Sequence, residues 1–188
     1  MLMNIINYAH YLLESSIDKG ETVVDATCGN GHDTLFLSRV VGQSGKVLAF
    51  DIQEEAIENT KQALSESSYA NVSFILDSHA NMTTHLKAQN IELVGGAIFN
   101  LGYLPKGDKT IITNRESTVE AIQHLLPVLK TNGLVVLVVY HGHEGGKDEM
   151  HAVLKYAMNL SQRSYHVLQY GFINQQNNPP FIIAIQKR

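Results

Sequence analysis

The sequence predicts an α/β fold: a seven-stranded, mostly parallel sheet with helices on both faces and a C-terminal antiparallel hairpin. Three observations carry this. From residue 22 onward, short β-branched runs alternate with helical patterns, the rhythm of βαβ units. Leu134 to Tyr140 is continuously apolar, as expected of a central strand covered on both faces. The last two strand patterns follow each other with no helix between them, so they pair antiparallel. With 188 residues, 44% hydrophobic and 17% charged, the chain is expected to form one domain over 1–188 around a single buried core.

Taken in order, Leu2, Ile5, Ile6, Ala9, Leu12 and Leu13 recur at three- and four-residue steps, which predicts an amphipathic helix ending near Lys19-Gly20. Three strand-helix pairs follow. They are Thr22 to Val24 with a helix over 33–41, Lys46 to Phe50 with one over 54–66, and Val72 to Leu76 with one over 79–88. Val94 to Phe99 is the fourth strand. A punctuated stretch, Gly102 to Asp108, precedes a helix from about Glu116 to Leu129, with Pro127 near its end and Asn132-Gly133 as the stop signal. Beyond the apolar strand, a helix over about 148–160 leads to the strands Tyr165 to Ile173 and Phe181 to Ile185.

Charge narrows the function. Lys plus Arg is 14 against 18 for Asp plus Glu, a formal net charge of -4, which excludes a protein that binds polyanions through its overall field. The two halves differ. Residues 1–94 carry 5 basic and 12 acidic side chains, residues 95–188 carry 9 and 6, so a polyanionic partner is expected to meet the second half. The one cysteine, Cys28, permits no intrachain disulfide and fits a reducing compartment. No stretch approaches the ~20 apolar residues of a membrane span, and the expectation is a cytoplasmic protein with no membrane partner.

The stretch from Asp25 to Asp33, Asp-Ala-Thr-Cys-Gly-Asn-Gly-His-Asp, follows the first strand and opens a helix. Its glycines let backbone approach a ligand at the carboxyl edge of the sheet, where open α/β folds bind. Asp51 ends the second strand twenty residues past Gly31, placed to accept from ribose hydroxyls, and Asp77 ends the third in the same way. Asp25, Asp51 and Asp77 together suit a ligand with an amine, a ribose and an adenine better than one with a pyrophosphate. Thr34 also stands where a dinucleotide fingerprint wants its third glycine, which weighs against a nicotinamide enzyme.

These residues resemble the S-adenosylmethionine-dependent class I methyltransferases, which have a Rossmann-like fold. The resemblance implies that S-adenosylmethionine is the cofactor, held by Asp25, Thr27, Cys28, Gly29, Asn30, Gly31, Asp33 and Thr34 of the first loop. It extends the site to Asp51 with Gln53, to Asp77 with Ser78 and His79, and to Asn100 and Gly102. Asn100 leaves the fourth strand where amino-methyltransferases of this fold carry an Asn-Pro-Pro-Tyr type motif. There a side-chain carbonyl and a backbone carbonyl, here those of Asn100 and Leu101, orient an amine; this sequence departs from the motif, with Leu101-Gly102 in place of the two prolines.

Four stretches together are more specific: Asp25 to Gly31, Asn100 to Pro105, Tyr140 to Gly146, and Asn174 to Pro180. Over essentially the whole chain they resemble the bacterial YtqB/MnmM family, labelled as rRNA methylases. That resemblance implies methyl transfer to the amine of 5-aminomethyl-2-thiouridine at the tRNA wobble position, giving the 5-methylaminomethyl form, with the anticodon stem-loop as partner.

The residues themselves leave the acceptor open between tRNA, an rRNA base and a small-molecule amine. A cofactor-binding module without catalysis is a further class, against which the full set of glycine, acid and Asn100 positions argues. Asn100 is the expected orienter of the amine, and Tyr103, Tyr140 and His141 the expected catalytic neighbours that touch it or pass on its proton. Cys28 reads as a packed small residue rather than a nucleophile. His141-x-His143-Glu144 lacks the further ligands of a metal site, so no metal is expected. His10, His85, His124 and His166 read as ordinary surface or core histidines. Lys106, Lys109 and Arg115 are expected to meet RNA phosphates, and a homodimer would extend that basic surface.

Overall fold

The computed structural model describes residues 1–65, 71–105 and 111–188. Strands β1 (Thr22–Asp25), β2 (Lys46–Asp51), β3 (Val72–Leu76), β4 (Val94–Leu101), β5 (Leu129–Val139), β6 (Tyr165–Tyr170) and β7 (Phe181–Lys187) form one sheet in the order β3-β2-β1-β4-β5-β7-β6. The first five are parallel, and β7 inserts antiparallel between β5 and β6. The helices are α1 (Ile5–Glu14), α2 (His32–Val41), α3 (Glu54–Leu64), α4 (Met82–Ala88, after a 3-10 turn His79–Asn81), α5 (Arg115–Val128) and α6 (Gly146–Met158).

Alternation along the strands explains the layering. Val23, Val47, Ile98, Val136 and Val138 face one side with α1 and α2; Val24, Leu48, Phe99, Val135 and Leu137 face the other with α4, α5 and α6. Both sides are dry, as the continuous apolar run in β5 requires. Phe50 and Phe99 are fully buried, each contributing about 1.5–3 kcal/mol. At the N-terminus, the Asn4 side chain accepts from Asn7 N–H and caps α1, whose Ile5, Ala9 and Leu13 are buried.

Three boundaries differ from expectation. The first helix ends at Glu14, with Ser15 as its C-cap, rather than near Lys19-Gly20. The α5 helix stops at Val128, one residue past Pro127, and β5 begins at once with Leu129 beside Val94. Asn132-Gly133 is therefore no helix stop. The β4/β5 register shifts between Val94↔Leu129 and Gly96↔Leu134, and Asn132 there adopts φ 63°, a conformation asparagine tolerates better than most residues. Lys130 pins this bulge through Asp18 and Glu21 at 2.9 and 2.7 Å. The sixth strand ends at Tyr170 rather than Ile173, and Asn177 and Asn178 return the chain at φ 64° and 53°.

The strand order reverses between β1 and β4. Their carboxyl ends diverge there, opening the crevice in which such sheets take ligands.

Candidate active site

A cavity of about 1110 Å³ lies along that edge. One end is built by the turns after β1, β2 and β3. The β1 loop is kept close to the sheet by Ala26 N–H donating to Ile98 O and Cys28 N–H to Phe50 O. Gly29 turns at φ 53° and Gly31 at φ 80°; a Cβ on Gly31 would stand 2.9 Å from Thr60 Cα, so only glycine lets α2 start this close to α3. Asp51 Oδ1 accepts from Gln53 N–H at 3.0 Å and Oδ2 from Gly29 N–H at 3.1 Å. Burial raises its pKa against those hydrogen bonds.

Asp77 is more open. Its Oδ2 faces His85 Nε2 at 2.8 Å, and Oδ1 accepts from Ser78 N–H and Asn81 Nδ2. The His85 contact, with Asn81 and Ser78, holds this carboxyl below its ordinary range. His79 Nδ1 lies 3.0 Å from the Ala26 carbonyl, which only accepts, so Nδ1 carries the proton and Nε2 holds a bare lone pair, buried with no hydrogen-bond partner among the described residues. Burial lowers the pKa of this ring and keeps it neutral.

The other end is built from longer-range contacts. Asn100 N–H donates to Thr27 Oγ1 at 2.7 Å, and Asn100 Nδ2 donates to Asp33 Oδ2, whose other oxygen faces His10 Nε2. Thr113 N–H donates to Gly102 O and Gly102 N–H donates to Thr113 Oγ1, both at 2.9 Å, and Thr113 Oγ1 donates to the buried Glu149 at 2.7 Å, as does Thr118 Oγ1 at 2.6 Å. His141 Nε2 donates to Pro179 O at 3.1 Å and His143 Nδ1 to Glu144 O at 2.9 Å, leaving a bare ring nitrogen on each. Tyr103 meets the His143 ring edge-on at 5.7 Å.

Of the residues the sequence singled out, Thr27, Cys28, Gly29, Asn30 and Asp33 line the cavity from the first loop. Asp51, Gln53, Asp77, Ser78 and His79 line the same end, and Asn100, Gly102, Tyr103, Tyr140 and His141 the other. Asp25, Gly31 and Thr34 do not. Asp25 is fully buried behind the loop, accepting from Thr34 Oγ1 at 2.6 Å and Thr27 N–H at 3.2 Å. It braces the turn rather than facing a ligand, and burial, then the charge of Asp33, raises its pKa. Gly31 is turned toward α3, and Thr34 is spent on Asp25.

Burial and the charge of Asp25 push the Cys28 thiol up, so it is no nucleophile. The Tyr140 phenol is raised by burial and then by Asp33, so it holds its proton. The Leu101 carbonyl accepts from Tyr140 N–H and closes the β4/β5 ladder, which leaves the Asn100 side chain as the open polar group there. Arg115 lies outside the wall at the start of α5, exposed and paired with Glu116. Lys106 and Lys109 lie outside the described residues. Sequence reasoning missed His10, Thr113, Glu149 and Asn178; only Asn178, in the asparagine-rich tail, carried a signal.

The wall holds three carboxylates, Asp33, Asp51 and Asp77, and among the described residues no lysine or arginine. Such a cavity attracts a cation and repels a pyrophosphate.

Comparison with known proteins agrees with this geometry. The model of the family described as Putative rRNA methylase matches residues 47–186, and that of protein-L-isoaspartate(D-aspartate) O-methyltransferase matches 3–81. A chloroplastic tRNA (mnm5s2U34)-methyltransferase of Arabidopsis thaliana is 36% identical over 95% of this chain and 68% of its own length. The crystal structure of a putative rRNA-methylase from Clostridium thermocellum is 38% identical with a TM-score of 0.95, covering 100% of both chains. A putative methyltransferase from Streptococcus mutans, solved in complex with SAH, is also 38% identical, with a TM-score of 0.90 over 100% of both chains.

Proposed function

The chain belongs to the Putative rRNA methylase family, and from that membership and the cavity's chemistry we propose that it methylates the 5-aminomethyl group of 5-aminomethyl-2-thiouridine at the tRNA wobble position. It is an S-adenosylmethionine-dependent methyltransferase. The observation that carries the reading is the anionic cavity, which joins Asp51 and Asp77 at one end to Asp33 and Asn100 at the other without a lysine or arginine in its described wall.

The residues present fit the cofactor. The two oxygens of Asp51, each already fixed by a backbone N–H, are preset to accept from two adjacent ribose hydroxyls. Asp77, Ser78 and His79 border the adenine. Thr27, Cys28, Gly29 and Asn30 supply the close backbone, with Asp33, Asn100 and Gly102 toward the methyl end. When bound, S-adenosylmethionine supplies an electrophilic methyl group on a sulfonium. The protein's part is alignment and the exposure of a neutral amine.

Asn100 does the aligning. Its Nδ2 is committed to Asp33, so Oδ1 is the end left to accept an N–H of the amine and turn the lone pair toward the methyl. Tyr103, Tyr140 and His141 close around the acceptor. The phenol of Tyr140 donates but does not act as a base.

Lys106, Lys109 and Arg115 meet phosphates of the anticodon stem-loop. Arg115 is paired with the exposed Glu116, a contact that water and salt weaken, so a phosphate competes for it. A homodimer would double this basic face, and sedimentation equilibrium reads it directly. The reading is tested by incubating the purified protein with S-adenosylmethionine and RNA from a strain lacking its gene, followed by nucleoside mass spectrometry. One added methyl on 5-aminomethyl-2-thiouridine of tRNA is expected. Methylation of rRNA with tRNA unchanged would overturn the acceptor assignment.

A further inference from the structure

Asp33 stands in the first turn of α2, with its side chain 12% exposed at the cavity wall. One oxygen accepts from Asn100 Nδ2 and the other faces His10 Nε2, each at 2.5 Å. His10 comes from α1, its ring stacked on Phe36 at 3.8 Å and 2°, with 24% of the side chain reaching solvent. Asp25 lies behind Asp33, His32 beside it in the wall and Tyr140 across from it. No lysine or arginine among the described residues pairs with it. A part-buried carboxylate held by one amide and one histidine, with no lysine or arginine among the described residues beside it, is suited to meet a cation.

We infer that Asp33, held in place by His10, is the proton exit for the acceptor amine and also positions Asn100. The inference rests on the methyl-transfer reading of this site and adds to it. An alkylamine of pKa ~10 arrives mostly as an ammonium with no lone pair to offer. The Asp33 carboxylate draws in that cation and takes one of its protons: an N–H bond breaks, its electron pair stays on nitrogen, and an O–H bond forms. The carboxylate only accepts, so His10 donates its Nε2–H to Oδ1 throughout; it holds Asp33 in place and stabilises the carboxylate that forms again when the captured proton leaves Asp33 for water. Asp33 is then a carboxylate again and the amine neutral, held by Asn100 Oδ1. The neighbours do not replace this route. An amide is no base, the Tyr140 phenol retains its own proton, and the bare ring nitrogens of His141 and His143 are buried with no exposed surface to meet the amine.

The test is the single-turnover rate of methyl transfer to aminomethyl-bearing tRNA from about pH 6 to about pH 10. It is measured for the wild type, Asp33→Asn and His10→Gln, with S-adenosylhomocysteine affinity measured calorimetrically in parallel. Asp33→Asn is expected to lose about 10²-fold near pH 7, with the loss shrinking as pH rises and bulk water deprotonates the amine, while S-adenosylhomocysteine affinity stays within about twofold. His10→Gln is expected to show the same trend at about 10-fold. A loss constant across pH, no loss, or a parallel loss of affinity would overturn the proton exit alone. A wild type that binds S-adenosylhomocysteine yet methylates no aminomethyl tRNA would overturn the methyl-transfer reading and this inference with it.

Discussion

The two ends of the cavity are held by different kinds of contact. At the cofactor end each strand-terminal aspartate is fixed by backbone N–H groups of its own turn: Thr27 for Asp25, Gln53 for Asp51, Ser78 for Asp77. At the acceptor end side chains hold side chains across the sequence: Asn100 to Asp33, Asp33 to His10, Thr113 and Thr118 to Glu149. On the proposed reading, the first kind makes a rigid template for the cofactor. The second places charged and polar groups for the reaction, and depends on the whole fold to do so. A substitution at the first end should therefore be felt in affinity, one at the second in rate or in stability.

The largest effect that sharpens this contrast is expected from Asn100→Ala. Removing the group that aims the amine lowers kcat by about 10²-fold, read by single-turnover kinetics, with cofactor affinity nearly unchanged. Next comes Asp51→Ala at the opposite end. Losing a charged acceptor for two hydroxyls costs about 1.5–3 kcal/mol of S-adenosylhomocysteine binding by calorimetry. Equal affinities in parent and variant would remove Asp51 from the ribose site.

Glu149→Ala addresses the strut under the acceptor end. It strands the buried Thr118 hydroxyl and releases that of the half-buried Thr113, costing about 1–3 kcal/mol, and thermal unfolding should report it, while Glu149→Gln retains most of the stability. The smallest effect is expected from Asp25→Asn. Burial pushes the Asp25 carboxyl up to about 8, so the folded state holds that proton more tightly than the unfolded chain does. Stability from this group is then greatest at low pH and falls as pH rises from the ordinary carboxylate value toward about 8. Asparagine does not titrate, so the variant's melting temperature should gain on the parent's across that window. A gap independent of pH would mean that Asp25 is ionised in its buried site.

The same contrast explains what could be read from the sequence. The alternation of strands and helices, the antiparallel end and the central β5 follow from short apolar runs such as Val23-Val24 and Val135 to Val139, whereas the strand order does not. The glycine loop, Asp51 and Asp77 are legible because their partners are close in sequence or on the next strand. Asp25 misleads, because a strand-end aspartate looks the same whether it faces the ligand or braces the turn behind it. Asn132-Gly133 misleads in a similar way, since the left-handed turn that ends a helix also makes a bulge. His10 was invisible in its role because 23 residues separate it from Asp33, and Glu149 lies 36 residues from Thr113. Nothing local in either stretch announces such a pairing.

The division between the two ends is tested most directly by saturating both variants with S-adenosylmethionine and measuring the single-turnover rate of methyl transfer to tRNA. Asp51→Ala is expected to recover to near the parent rate once the weakened site is filled, and Asn100→Ala to remain slow by about 10²-fold at any cofactor concentration. Recovery of Asn100→Ala at high S-adenosylmethionine, with Asp51→Ala still slow, would reverse the assignment of the two ends and contradict the account.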